Sequence, residues 1–204
     1  MFRLLPRVAA PALRGLQNSL SSTGAARAVA TPGLGRWIIG SRAAPASQAD
    51  VSGWNLIGDE VALRARGVEM LCLFGSAMDY DGRALQGVRL DIWQTGLDGE
   101  AVEPETAAKA PFAGHGWTLT DAEGTYRFQT ILPKATASRA PHIKARVTRP
   151  GGRQLECELF LVDAPENDRD WNFGALGPSQ QAAVSIDPIR RSDGDLEAGF
   201  NFVL

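Results

Sequence analysis

The sequence predicts an all-β domain of the sandwich type. Two patterns and one absence carry that prediction. Short apolar runs alternate with polar residues: Val88, Leu90 and Ile92 with Arg89, Asp91 and Trp93; Tyr126 and Phe128 with Arg127 and Gln129; Ile143, Ala145 and Val147 with Lys144, Arg146 and Thr148. Such period-2 alternation marks strands with one face buried. Turns separate the runs at Asp81-Gly82 and Glu123-Gly124, where glycine accepts positive φ at little steric cost. Between residues 68 and 162 no segment sustains the apolar period of a helix. Short strands with Gly-rich turns build a sandwich or barrel.

In chain order, residues 1–49 form a long basic extension and residues 50–204 the domain. Residues 50–67 lead in, with Trp54, Leu56 and Ile57 available to cover a sheet edge. Val68, Met70 and Leu71 open the first strand, which runs to Phe74. Residues 95–113 make a long connection carrying Asp98, Glu100 and Glu103; a connection of this length is functional or a contact surface. Residues 163–181 make a second one, rich in turn formers, and residues 182–186 and 199–203 read as the last two strands.

Charge is uneven along the chain. The extension holds six arginines, no lysine and no acid; residues 50–204 hold the other 15 basic residues and all 23 acidic ones, a net charge of −8. An Arg- and Ala/Ser-rich, acid-free start has the composition of an organellar transit peptide, so mitochondrial import is expected, with plastid import the weaker option. No apolar run reaches the roughly 18 residues of a membrane span. The overall charge of −2 makes no case for nucleic-acid binding. Cys72 and Cys157 lie in apolar strand-like runs without CxxC spacing and are expected as free thiols. G-x-S-x-G, P-loop, H-E-x-x-H and calcium-loop motifs are absent from the sequence.

Three segments carry a family resemblance. Asp81-Gly82 precedes Gly87-Val88 and the strand Leu90-Asp91-Ile92-Trp93-Gln94. Gly114-His115-Gly116 precedes Thr120-Asp121, Gly124 and the run from Tyr126 to Ile131. Ala140-Pro141-His142-Ile143 follows. In order and spacing the set resembles the intradiol ring-cleavage dioxygenases, and the wording Ala-Pro-His-Ile is most similar to the non-catalytic α subunit of protocatechuate 3,4-dioxygenase. The resemblance implies an intradiol-dioxygenase-like β-sandwich and, in active members, ferric iron held by two tyrosinates and two histidines. Hard anionic phenolates suit iron(III), and imidazoles complete the set.

Carried onto this chain, the resemblance puts Ala101 and Thr136 at the tyrosine positions, and His142 and Lys144 at the histidine positions. The chain has only two tyrosines, Tyr80 and Tyr126, and neither is in register. Arg139 matches a family arginine that lies over the substrate; it could fork onto a carboxylate or form a surface ion pair. The expectation is therefore a vestigial pocket of Ala101, Thr136, Arg139, His142 and Lys144, with no catalytic residue and no cofactor. The leading reading is an accessory subunit of a mitochondrial hetero-oligomer, its partners other protein chains, with Trp54, Trp117 and Trp171 as candidate contacts. One alternative is an α-type subunit whose separate partner chain bears ferric iron. Another is a small organic-anion binder in the old pocket.

Overall fold

The computed structural model describes residues 25–29, 53–100, 102, 107 and 110–204. Most of the basic extension and Ala101 lie outside the described residues, so the targeting expectation finds no structural counterpart. Two five-stranded sheets face each other. In the first, β1 (Ala25–Val29), β10 (Leu196–Val203), β2 (Met70–Met78) and β5 (Thr125–Ile131) lie in that order, with β9 (Ile189–Arg190) also paired to β10. In the second the order is β4 (His115–Leu119), β3 (Arg89–Trp93), β6 (His142–Thr148), β7 (Gln154–Leu161) and β8 (Ser185–Ile186). The all-β sandwich is as the alternation predicts.

The inward residues of the two sheets make one core. Val88 just before β3, Leu90 and Ile92 on β3, and Ile143, Ala145 and Val147 on β6 meet Leu71, Leu73, Phe128, Phe200 and Phe202 of the first sheet. Burying a side chain of this size stabilises by about 1.5–3 kcal/mol. The lead-in covers an edge as its apolar residues suggest: Leu56 N–H donates to Gln129 O at 2.8 Å, and Gln129 N–H to Trp54 O at 2.8 Å.

The motif residues hold the corner between the sheets. Thr120 Oγ1 accepts from Val88 N–H at 3.0 Å and donates to Leu85 O at 2.6 Å. Gln94 Nε2 donates to Ile131 O at 3.0 Å, and its Oε1 accepts from Thr130 Oγ1 at 2.7 Å. Gly124 turns with φ 72°, and a Cβ there would stand 2.8 Å from Ala77 O.

Where β10 passes β2, the paired residues stop at Gly199 and resume at Phe202. Side chains take up the backbone groups in between. Tyr126 Oη donates to Phe200 O at 2.6 Å, and Asn201 Oδ1 accepts from Ser76 N–H at 2.9 Å. Gly75 makes the close passage possible, since a Cβ there would sit 1.8 Å from Phe200 O.

Several elements depart from the sequence reading. Residues 25–29 of the extension form β1, parallel to β10. Helix α1 (Glu60–Ala65), capped by the Asp59 side chain on Ala62 N–H, occupies the lead-in. The connection after β7 folds into a 3-10 turn (Pro165–Arg169) and helix α2 (Trp171–Gly174), followed by α3 (Pro178–Ala183). The strand expected over 182–186 is consequently cut to β8, because Pro178 starts α3, which runs through Ala183. Each helix is too short for periodicity to reveal. Cys72 and Cys157 are free thiols in different sheets. No helix among the described residues is long and apolar enough to cross a membrane.

The close passage at Gly75 gives a test. Gly75→Ala should lower the free energy of unfolding by about 3 kcal/mol or more through overpacking against backbone. Gly174→Ala, with open space around its Cβ, should stay within about 0.5 kcal/mol. Urea denaturation of both variants reads the difference.

Candidate functional site

Three of the old-pocket residues, Arg139, His142 and Lys144, gather on the outward face of the second sheet, where β6, β7 and α2 meet. Alternation on β6 sends Ile143, Ala145 and Val147 inward and leaves His142, Lys144 and Arg146 on the other face. Register then sets rows across the strands. Lys144 pairs with Trp93 on one side and Glu158 on the other, and Trp93 pairs with His115. One row over, Arg146 lies between Asp91 and Glu156, and Asp91 pairs with Trp117.

Arg139, just before β6, is the centre of an ion cluster. Its Nε donates to Asp170 Oδ2 at 2.9 Å, and its two terminal nitrogens face Glu158, Nη2 to Oε2 at 2.6 Å and Nη1 to Oε1 at 3.4 Å. Asp170 has a fully buried side chain. It also accepts from Ala140 N–H at 2.7 Å and, as the N-cap of α2, from Phe173 N–H at 3.0 Å. Burial pushes the Asp170 carboxyl up, but the two backbone donors and the guanidinium outweigh it and hold it below the usual carboxylate range. For Arg139, burial pulls down while Glu158 and Asp170 push up, with a net rise. Asn172 Nδ2 donates to Glu158 Oε2 at 3.0 Å, so the connection after β7 is tied to the sheet at two carboxylates.

His142 packs against Phe160, ring centroids 5.7 Å apart. Its Nδ1 lies 2.7 Å from Ala140 O. A carbonyl only accepts, so Nδ1 carries the proton and the neutral ring has its lone pair on Nε2. That nitrogen is 3.9 Å from Glu158 Oε1, and Lys144 Nζ is 4.0 Å from the same oxygen. Burial is the largest influence on His142 and lowers its pKa below the ordinary imidazole value, against the opposing pull of Ala140 and Glu158. Thr136 closes a turn instead of facing the cluster: its Oγ1 accepts from Arg139 N–H at 3.0 Å, and its N–H donates to Arg139 O at 3.0 Å.

A second cluster on the same face surrounds Asp91. Arg89 clasps it with Nε and Nη2 at 2.8–3.2 Å while lying over the Trp117 ring at 4.4 Å. His115 stacks on Trp93 with centroids 4.8 Å apart, and its Nε2 is 3.7 Å from Asp91 Oδ1, an electrostatic contact too long for a hydrogen bond. Burial raises the Asp91 carboxyl, but His115 and Arg89 bring it below the usual range.

Of the expected sites, the structure brings together Arg139, His142 and Lys144. It leaves Thr136 in a turn, and Ala101 lies outside the described residues. Trp117 is half-buried beneath Arg89, whereas Trp54 and Trp171 are 48% and 69% exposed. Glu158 and Asp170 escaped the sequence reading. Glu158 could have been found by counting back from the turn at Gly151-Gly152, which pairs Thr148 with Gln154, Arg146 with Glu156 and Lys144 with Glu158. Asp170 has no such signal, since it reaches Arg139 from outside the sheet.

Comparison with known proteins fits this architecture. A dioxygenase family model matches residues 55–154. The β chain of protocatechuate 3,4-dioxygenase from Burkholderia cepacia is 35% identical over 71 residues, which are 33% of this chain and 30% of that one. Over this matched region the chain belongs to the intradiol dioxygenase family. Another family relative, catechol 1,2-dioxygenase of Candida albicans, is 24% identical over 158 residues, 68% of this chain and 51% of the relative. The chain thus spans about half of that relative and less of the β chain. Among solved structures, the dioxygenase domain of a carbohydrate-binding fusion from Streptomyces sp. SirexAA-E superposes with a TM-score of 0.60 at 25% identity, over 76% of this chain and 90% of the other. An intradiol ring-cleavage dioxygenase from Tetranychus urticae gives 0.60 at 20% identity, over 76% and 86%.

Family members bind ferric iron, and the described residues here do not fit it. The cluster offers one imidazole, with Lys144 and Arg139 beside it as donor-only cations. Tyr126 cannot contribute a phenolate: its hydroxyl donates to Phe200 O in the core, and burial raises its pKa well above the ordinary value. No group of three or more His, Cys, Asp or Glu able to hold a metal occurs among the described residues.

Two predictions follow from the cluster. Arg139→Gln leaves Asp170 and Glu158 without their shared cation and should cost about 3–5 kcal/mol in chemical denaturation. His142 has a folded pKa below its unfolded value, so the unfolded chain binds more protons between the two. Stability should therefore be full above the unfolded histidine pKa of about 6.5 and decline as pH falls through the folded pKa. His142→Gln should flatten that slope in thermal melts taken across the range.

Proposed function

We propose that this chain is an iron-free, non-catalytic intradiol-dioxygenase-like protein serving as an accessory subunit of a larger mitochondrial complex. The observation that carries the reading is the donor set. Where the family resemblance implies two tyrosinates and two histidines, the chain has Ala101, Thr136, His142 and Lys144. The remaining cationic group of the pocket, Arg139, is committed to Asp170 and Glu158. A scaffold without its metal chemistry still presents surfaces for assembly. The similarity to a protein named as a β chain, one part of a multichain enzyme, agrees with a role beside other subunits. Exposed Trp54 and Trp171 supply side chains of the type enriched at interface hot spots. The acid-free, arginine-bearing extension is the basis for the mitochondrial placement. The organic-anion reading is weakened, because the guanidinium that would receive the anion already holds two carboxylates.

Metal analysis of the purified chain, with its absorption spectrum after loading with iron(III), tests the reading. The expected result is substoichiometric iron and no tyrosinate-to-iron charge-transfer band. One iron per chain with such a band would restore an enzyme. Fractionation of cells expressing the tagged full chain tests the rest: it should sediment with mitochondria and elute above its 21.8 kDa monomer mass. Elution as a free monomer from the cytosol would defeat the accessory-subunit role.

A further inference from the structure

We propose that Glu158 is a built-in ligand, its carboxylate filling a carboxylate subsite formed by the Arg139 guanidinium, the Asn172 amide and the Lys144 ammonium. The geometry is that of a bound anion. Both Glu158 oxygens face both terminal nitrogens of Arg139, at 2.6 and 3.4 Å, the end-on fork by which arginine takes free carboxylates. Asn172 donates to the same oxygen as Nη2, at 3.0 Å, and Lys144 stands 4.0 Å from the other. The donors come from three places, the segment before β6, β6 itself and α2, while the acceptor comes from β7.

The Arg139 guanidinium has an anchor besides Glu158. Asp170 grips Arg139 at Nε, the edge away from the fork, and is itself fixed by Ala140 and Phe173 N–H groups. The guanidinium plane is therefore set from behind, with its fork left to face β7. Removing the Glu158 carboxylate leaves the Arg139 fork and the Asn172 amide facing a vacated, partly buried volume, and these donors suit a small monocarboxylate. Truncation at Cβ removes the atoms of acetate, so acetate matches the vacated volume. This assignment stands apart from the accessory-subunit reading, because it depends neither on iron nor on a partner.

The test is chemical rescue in the full chain. Glu158→Ala is melted in increasing sodium acetate, with sodium chloride holding ionic strength constant. Its midpoint should begin several degrees below wild type and rise saturably with acetate. Wild type, whose subsite is filled, and the double variant Arg139→Gln/Glu158→Ala, whose fork is gone, should show no saturable rise. Where Glu158→Ala does not fold in chloride, Glu158→Ser and the refolding yield of both variants in acetate against chloride supply the readout. Acetate acting no better than chloride on either variant overturns the assignment, as does an equal rise in wild type. Iron content does not enter this readout, so its outcome is separable from that of the metal analysis.

Discussion

A carboxylate with no exposed surface organises the polar face of this protein. Asp170 accepts from two backbone N–H groups and one guanidinium, and each contact fixes a different piece: the start of β6, the first turn of α2 and the orientation of Arg139. A buried charge is tolerated only when paired and hydrogen-bonded, and this one is both. Glu158 and Asn172 take their places around the guanidinium so held. The stretch between β7 and β8, without a long helix or strand of its own, is anchored chiefly through these groups and the Phe160–Phe173 contact at 5.0 Å.

The sandwich was legible in the sequence because alternation is a local signal with a direct physical cause. Val88, Leu90 and Ile92 point inward because successive strand residues take opposite faces, and the structure buries all three. The outward positions were less legible. Asp91 reads as solvent-facing but is nearly buried under Arg89, since tertiary cover is not encoded in a strand's period. The short helices after β7 have too few residues to show a period. In the site, the shared face of His142 and Lys144 was legible from the alternation on β6, whereas the turn that takes Thr136 away from the cluster was not. The carboxylates that neutralise Arg139 could not be assigned from motif register: one comes from the neighbouring strand, and the other lies 31 residues along the chain.

The motifs that carry the family likeness turn out to be structural. Thr120 and Gly124 shape the corner, Gln94 bridges the sheets, and Tyr126 repairs the interrupted pairing between β2 and β10. They preserve the scaffold whatever occupies the pocket, which is why strong similarity of fold coexists with a donor set unsuited to ferric iron. Scaffold and chemistry are recorded in different residues.

The position of Glu158 between Lys144 and Arg139 couples the charge of the pocket to its donor set. Lys144→His alone would supply an imidazole while removing a cation from beside Glu158, and would still lack both phenolates. Neutralising Glu158 as well would leave Arg139 with unpaired donors. Any change of this cluster toward a ferric donor set at Lys144 therefore alters the charge pairing around Glu158 as well as the ligands themselves.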